Sequence, residues 1–276
     1  MKQSPLIEVA DLLKIHQQSD GLIFDVSNSP NARKNFELEH LDGAFFIDLN
    51  TQLADIKSDL SKGGRHPLPE IASFVSTVSK LGIEPSKQIV IYDDTNGSNA
   101  AARFWWMLRA IGHETVQVLN GGLKEAKKKG FPLSSTITNP TTTNYLYAVN
   151  EWLLPTVEMS TVEQVAKNPD YRVIDVRSKE RFDGLTEPID LVAGHISGAI
   201  NVPFTENLDE NGLFLSSDLL KEKYVKIIDS IPTNHIIVHC GSGVTACHTL
   251  LAFDYSGLPI PQLYVGSWSE WSRNFS

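Results

Sequence analysis

Residues 236–255 read IIVHCGSGVTACHTLLAFDY, which predicts a strand, a glycine-rich loop and a helix in direct succession. Ile236–His239 is a short β-branched run, as expected of a buried strand. A helix over Val244–Tyr255 follows, and Gly257 ends it. Between strand and helix lies Cys240, at the point where open α/β sheets bind their ligands.

The chain contains this pattern twice. Four landmarks recur in the same order, displaced by 145–155 residues. They are Leu22–Ser27 with Arg172–Arg177, His40–Ala44 with His195–Ala199, Ile89–Asp93 with Ile236–Cys240, and Leu119–Gly121 with Tyr264–Gly266. We therefore predict a duplication, with domains at residues 1–131 and 158–276. The connector, residues 132–157, begins with a stretch rich in Ser, Thr, Asn and Pro.

Each copy alternates strands with helices. Such alternation implies right-handed crossovers and a mostly parallel sheet covered on both faces. The predicted fold class is α/β, with two tandem domains that are each a mostly parallel sheet flanked by helices.

The composition excludes several function classes. The 276 residues include 24 Lys and Arg against 33 Asp and Glu, a formal net charge of −9. This balance argues against a nucleic-acid partner. No apolar run approaches the roughly 18–20 residues of a membrane span, and the first residues lack the apolar core of a signal peptide. Two cysteines cannot form a disulfide framework, so we expect a reducing cytoplasm.

The loop that Cys240 opens has the features of an anion site. Alternating glycines and small residues let the backbone turn its N–H groups toward one atom, and the helix dipole adds positive potential there. A thiolate should be stabilised at this position, which favours a nucleophile over an inert buried thiol. Cys247 lies about two turns into the helix on its apolar side, as expected of a core cysteine.

A cysteine phosphatase is the competing interpretation. Those enzymes need an arginine six positions after the cysteine, where it clamps the phosphoryl group. Ala246 stands at that position here, so phosphatase activity is the weaker hypothesis. The matching position in the first copy is Asp93, which predicts an inactive copy and a single active site where the two copies meet.

The stretch Cys240–Ala246 resembles the active-site signature of the tandem-domain rhodanese superfamily. Its glycine-serine-glycine version is typical of the 3-mercaptopyruvate sulfurtransferase branch, whereas thiosulfate sulfurtransferases usually have basic residues in the second and third places. The resemblance covers nearly the whole chain. It includes Gly43-Ala44, Gly63–Pro69, Tyr92-Asp93, Arg103–Met107, Asn120–Gly122, Gly194-His195 and Gly266–Trp271.

The resemblance implies a sulfurtransferase. Cys240 would take a sulfane sulfur from 3-mercaptopyruvate or thiosulfate as a persulfide, and would pass it to cyanide or to a thiol such as thioredoxin or glutathione. The loop N–H groups, with Gly241, Gly243, Val244 and Thr245 as substrate-binding residues, would stabilise the persulfide anion. No cofactor or metal is implied, and a tandem pair predicts a self-sufficient monomer. The alternatives are a thiosulfate-specific enzyme and a non-catalytic persulfide carrier.

Further residues are assigned by the same resemblance. Arg181 matches the arginine that binds the donor's anionic group, and Asp175 would orient that arginine through a charge-assisted pair. Ser242, His66 and Asp48 match a triad of the mercaptopyruvate branch. Such a relay could protonate the enolate that remains when sulfur departs.

One departure from the family bears on the donor. The mercaptopyruvate enzymes usually have a second carboxylate-binding arginine in a Glu-Pro-Arg run, whereas this chain has Glu187-Pro188-Ile189 and no arginine from there to His195. We hypothesise that Arg65, in the loop beside His66, supplies the second positive charge from the other domain.

Overall fold

The computed structural model describes residues 3–18 and 21–275 and forms two compact units. The first unit consists of Met1–Leu53, Pro69–Leu153 and Asn211–Leu213, and the second of Ala54–Leu68, Leu154–Glu210 and Phe214–Ser276. The units are therefore discontinuous, because residues 54–68 pack with the second one. The boundaries 1–131 and 158–276 stay predictions, and residues 1 and 276 lie outside the described ranges. Arg65, which the sequence places in the first domain, belongs to the second unit.

The first unit contains seven strands and six helices among its described residues. The strands are β1 Leu6–Ile7, β2 Gly21–Asp25, β3 His40–Leu41, β4 Ala44–Phe46, β5 Gln88–Tyr92, β6 Val116–Leu119 and β7 Leu133–Ser134. The helices are α1 Val9–Gln18, α2 Ala32–Leu38, α3 Leu49–Gln52, α4 Ile71–Lys80, α5 Ala100–Ala110 and α6 Gly122–Lys128.

Five of these strands form a parallel sheet in the order β1-β6-β5-β2-β4, and β3 pairs antiparallel with β7. Alternate residues of a strand face opposite sides of the sheet. Val90 and Tyr92 of β5 accordingly join an apolar cluster with residues of α1, α2 and α6. On the neighbouring strand, Phe24 meets Phe104 of α5, with ring centroids 5.7 Å apart. Helices therefore cover both faces.

The second unit contains five strands, five α-helices and two short 3₁₀ turns among its described residues. The strands are β8 Thr156–Val157, β9 Arg172–Asp175, β10 Ile200–Asn201, β11 Ile236–His239 and β12 Gln262–Tyr264. The helices are α7 Met159–Val165, α8 Lys179–Phe182, α9 Ser217–Ile228, α10 Ala246–Tyr255 and α11 Ser267–Asn274, and the 3₁₀ turns are Phe204–Asn207 and Thr233–His235.

The second sheet repeats the first. Its order is β8-β12-β11-β9-β10, and every pair is parallel. Matching strands occupy matching places in the two sheets, which confirms the predicted fold class of two α/β domains with mostly parallel sheets. Residues 246–254 of α10 are all buried, so this helix forms part of the core. It begins at Ala246 and not at the predicted Val244, since Val244 and Thr245 complete the loop.

None of the helices in residues 3–18 and 21–275 is both long and apolar enough to cross a membrane.

Candidate active site

The Cys240 loop is fixed to the start of α11 by its own backbone. The N–H of Cys240 donates to Ser267 Oγ at 3.2 Å, and the Cys240 carbonyl accepts from the N–H of Trp268 at 3.0 Å. The carbonyl of Gly241 accepts from the N–H of Ser269 at 2.9 Å. Cys240 itself is 3% exposed. These three hydrogen bonds hold the start of the loop at the end of β11.

Glycine is required inside this loop. Gly243 has φ +71°, and a Cβ atom there would lie 2.4 Å from the carbonyl oxygen of Val265. The resulting turn leaves the N–H groups of Gly241, Ser242 and Val244 without an acceptor in the described part of the chain. Backbone donors at the start of a helix favour an anion, which fits a thiolate or persulfide at Cys240.

In the first unit, the loop equivalent to the Cys240 loop surrounds the carboxylate of Asp93 with backbone donors. Asp93 follows β5 as Cys240 follows β11, and its buried carboxylate accepts four backbone N–H bonds. The donors are Thr95 at 2.9 Å, Gly97 at 2.7 Å, Asn99 at 3.1 Å and Ala101 at 3.3 Å. Burial raises the pKa of Asp93, and these hydrogen bonds oppose that shift. The first copy thus places a carboxylate within a cluster of loop N–H donors.

The segment that contains Arg65 and His66 is attached to α11. The N–H of Gly63 donates to Glu270 Oε1 at 2.7 Å, and the N–H of Arg65 donates to Ser269 Oγ at 3.0 Å. Gly64 has φ +74°, and a Cβ atom there would lie 2.3 Å from Ser269 Oγ, so only glycine fits this close approach.

The structure brings Ser242 and His66 together, with Ser242 Oγ 2.8 Å from His66 Nδ1. Asp48 belongs to the first unit, where its Oδ1 accepts from the N–H of Thr51 at 2.9 Å and caps α3. Its predicted place as third member of the triad stays a prediction.

Arg65 and Arg181 converge on the loop beside the cysteine. A Cβ atom built on Gly241 would lie 3.2 Å from Arg65 Nη2, and 3.5 and 3.6 Å from the two terminal nitrogens of Arg181. Two guanidinium groups therefore lie directly over the residue that follows Cys240. A glycine at this position leaves room for both, and two adjacent guanidinium groups have the charge and the donors to bind an anionic group.

The predicted pair between Asp175 and Arg181 is wrong. Asp175 pairs with Arg177, with Arg177 Nη2 2.6 Å from Oδ2 and Nε 3.0 Å from the same oxygen. Asp175 is the last residue of β9, and residues two apart along an extended chain point to the same side. That geometry selects Arg177 over Arg181, which lies on α8.

Glu187 is the carboxylate that holds Arg181, and sequence reasoning missed it. Arg181 Nη2 lies 2.7 Å from Oε1 and Arg181 Nε lies 3.2 Å from Oε2. Arg177 Nη1 also donates to Oε2, at 3.2 Å. Burial favours the neutral acid, but the Arg181 hydrogen bond and the backbone N–H of Asp190 lower the pKa of Glu187 below its ordinary value.

Asp190 is a second carboxylate that the sequence did not single out. Its side chain is fully buried, and Oδ1 accepts from Arg65 Nη1 and from Arg273 Nη1, the latter at 3.2 Å. Oδ2 lies 3.6 Å from Arg181 Nη2 and makes no hydrogen bond. Asp190 pairs with arginines that lie at distant positions in the sequence. No local sequence pattern therefore indicates these ion pairs.

The remaining thiol, Cys247, is buried in α10, and its Sγ donates to the carbonyl of Gly243 at 3.4 Å. Among residues 3–18 and 21–275, no group of three His, Cys, Asp or Glu side chains could hold a metal ion.

Comparison with known proteins identifies the family. The model of the rhodanese-like domain matches residues 8–129 and again residues 159–274. A probable 3-mercaptopyruvate sulfurtransferase of Pseudomonas aeruginosa is 34% identical over 278 residues, which cover 98% of this chain and 96% of that protein. A putative thiosulfate sulfurtransferase of Mycobacterium tuberculosis, SseB, is 35% identical over 276 residues, with 98% and 94% covered.

Solved structures agree with this result. SseA from Escherichia coli, described as a 3-mercaptopyruvate sulfotransferase, superposes with a TM-score of 0.79 at 30% identity, covering 97% of this chain and all of that one. The 3-mercaptopyruvate sulfurtransferase from Leishmania major gives a TM-score of 0.86 at 26% identity, covering all of this chain and 76% of that one. The chain therefore belongs to the rhodanese family and is a sulfurtransferase with two rhodanese-like domains.

Proposed function

We propose that this enzyme moves a sulfane sulfur from a small anionic donor to an acceptor through a persulfide on Cys240. The observation that carries the proposal is the meeting of three features: a cysteine at the end of β11, a loop of backbone N–H donors, and two guanidinium groups over Gly241. Relatives named for both 3-mercaptopyruvate and thiosulfate support a donor of that class.

The first half-reaction forms one bond and breaks one bond. The Cys240 thiolate attacks the donor's terminal sulfur, and a bond between the two sulfur atoms forms. The electron pair of the broken bond leaves with the rest of the donor, as the enolate of pyruvate or as sulfite. Thiosulfate gives the persulfide anion directly, whereas the persulfide from 3-mercaptopyruvate becomes an anion by releasing the former thiol proton, which balances the proton that the enolate gains. The anion lies within the loop, where backbone N–H groups and the α10 dipole stabilise it.

Arg181 and Arg65 bind the anionic part of the donor in this proposal. Their positions over Gly241 place positive charge next to the nucleophile, so the donor's sulfur is presented to Cys240. Arg65 would supply the charge that the sequence lacks at Ile189. The hypothesis is supported by the 3.2 Å between Arg65 Nη2 and the Cβ position of residue 241.

Ser242 and His66 serve the leaving group. An enolate must gain a proton, and a hydroxyl hydrogen-bonded to an imidazole can donate one and be reprotonated by the ring. Sulfite is a stable anion and needs no proton, so this pair matters for 3-mercaptopyruvate and not for thiosulfate.

In the second half-reaction, the acceptor attacks the outer sulfur of the persulfide. Cyanide leaves as thiocyanate, and a thiol such as glutathione or a reduced thioredoxin leaves as a persulfide. Cys240 is regenerated as the thiolate. The proposed setting is the reducing cytoplasm, supported by two free thiols, and the proposed working form is a monomer.

Steady-state sulfur transfer to cyanide tests the proposal. Wild type and Cys240→Ser are compared with 3-mercaptopyruvate and with thiosulfate, and Cys247→Ser serves as the control that removes the other thiol. We expect turnover in wild type and the control and none in Cys240→Ser. A carrier that accepts sulfur only from a protein would show no turnover with either donor. Activity that survives Cys240→Ser would overturn the mechanism.

A further inference from the structure

Asp190 lies at the centre of an ion-pair cluster that includes both arginines over Gly241. Its fully buried carboxylate touches three guanidinium groups, those of Arg65, Arg181 and Arg273. Oδ2 has no hydrogen-bond donor. A buried carboxylate between these arginines lowers the positive electrostatic potential at the donor-binding position. The effect is strong because electrostatic interactions are weakly screened in the protein interior.

The cluster extends through Glu187 to the pair of Arg177 and Asp175. Four guanidinium groups therefore meet three carboxylates, and the formal charge of the cluster is one positive unit. His239 Nε2 lies 3.8 Å from Asp175, but burial lowers the pKa of His239, so this imidazole stays neutral near pH 7 and adds no charge.

The ion-pair cluster extends to the loop that contains the nucleophile. Arg65 and Arg181 are at once its members and the groups that lie over Gly241, next to the nucleophile. Arg65 donates to Asp190 through Nη1, whereas its Nη2 is the nitrogen nearest the Cβ position of Gly241. The negative charge of Asp190 is therefore one guanidinium group away from the loop, and it repels an anionic donor bound there.

We propose that Asp190 is a specificity-determining residue, which makes the site favour a singly charged sulfur donor over a doubly charged one. The inference rests on the proposed transfer through Cys240. A 3-mercaptopyruvate carboxylate carries one negative charge and would match the single positive charge of the cluster, whereas thiosulfate carries two. One extra unit charge about 6 Å from Asp190, at an effective dielectric constant of about 40, corresponds to roughly tenfold in affinity.

Asp190→Asn tests this directly, since asparagine keeps an Oδ1 acceptor for Arg65 and Arg273 and replaces Oδ2, which accepts no hydrogen bond, with an uncharged amide group. The measured quantity is the kcat/KM for thiosulfate divided by that for 3-mercaptopyruvate. We expect this ratio to rise about tenfold. Asp170→Asn is the matched control: Asp170 is exposed and precedes β9, so it lies at the opposite end of the sheet from Cys240, and its ratio should equal that of wild type.

Arg273→Gln provides an independent arm. Arg273 donates to Asp190 Oδ1 at 3.2 Å, so losing its charge should move the ratio the other way, by about threefold. In Asp190→Asn/Arg273→Gln the cluster regains its wild-type formal charge. The ratio should return to within about threefold of wild type, a recovery that loss of structure would not produce.

The results that would contradict the role of Asp190 differ from the result that would contradict the proposed function. If Asp190→Asn lowers kcat/KM for both donors equally and the double variant is weaker still, Asp190 only positions the arginines and the inference is overturned. If Arg273→Gln raises the ratio, the charge argument is also overturned. If wild type transfers sulfur from neither donor, it is the proposed function that fails.

Discussion

Glu187→Gln should destabilise the second unit and weaken donor binding. The Glu187 side chain is 3% exposed. Its Oε1 accepts from Arg181 Nη2 at 2.7 Å and from the N–H groups of Ile189 and Asp190 at 3.1 Å each. Its Oε2 accepts from Arg181 Nε and from Arg177 Nη1, both at 3.2 Å.

A glutamine at this position can accept hydrogen bonds at only one of the two oxygen positions of Glu187. With its carbonyl in the place of Oε1, its amide group faces the two arginine donors at Oε2, and the flipped amide would lose three bonds instead of two. A hydrogen bond to a charged group contributes about 1.5–3 kcal/mol, so the loss of two should lower the free energy of unfolding by about 3 kcal/mol after relaxation. Arg181 also becomes less ordered, and the KM for the donor should rise about tenfold.

Urea unfolding at pH 7 measures the first effect and steady-state kinetics the second. Glu163→Gln, an exposed change of the same charge on α7, is the control. A loss of stability within about 0.5 kcal/mol of that control would refute the assignment of Glu187 as the residue that holds Arg181.

The same variant has a defined pH dependence. The folded-state pKa of Glu187 lies below its ordinary value of 4.5, so its stabilising contribution is complete above pH 4.5. The contribution is lost as pH falls through the lower folded-state pKa. The stability difference between wild type and Glu187→Gln should therefore be constant near neutrality and shrink in acid, as urea titrations at a series of pH values would show.

Three further outcomes follow from the site. Gly243→Ala should reduce kcat/KM about a hundredfold, because its Cβ would lie 2.4 Å from the Val265 carbonyl, while Gly257→Ala, with similar φ but open space, should cost only about 1 kcal/mol of stability and keep activity. Ser242→Ala should lower kcat with 3-mercaptopyruvate about tenfold and leave thiosulfate turnover within twofold; equal loss with both donors would contradict a proton-transfer role. Arg65→Ala should raise the KM for 3-mercaptopyruvate about tenfold, and an unchanged KM would eliminate it as the second anion-binding arginine.

Much of the fold could be predicted because its signals are local. The β-branched run at Ile236–His239 and the glycine turn after it specify strand, loop and crossover within 20 residues, and the repeat of this pattern predicts two sheets of the same order. The strand predicted at Ile236–His239 has the same bounds in the structure.

The discontinuous units could not be predicted from local signals. The segment 54–68 joins the second unit through hydrogen bonds from Gly63 and Arg65 to α11, about 200 residues away in sequence. Nothing in the composition of that segment specifies so distant a partner.

The candidate site also contains some residues that local sequence predicts and others that it does not. Cys240 and its loop are one contiguous motif, so they could be found from sequence. The partners of Arg181 could not, because charge pairing depends on which side chains the fold brings together. The pair of Asp175 and Arg177 is the exception, because their two-residue spacing at a strand end places both side chains on the same side.

The most direct test of the central claim is the intact mass of the protein after exposure to sulfur donor without acceptor. We predict that wild type and Cys247→Ser gain the mass of one sulfur atom and lose it again when cyanide is added, and that Cys240→Ser gains nothing. A sulfur atom found on Cys240→Ser, or one on wild type that cyanide does not remove, would contradict transfer through a Cys240 persulfide.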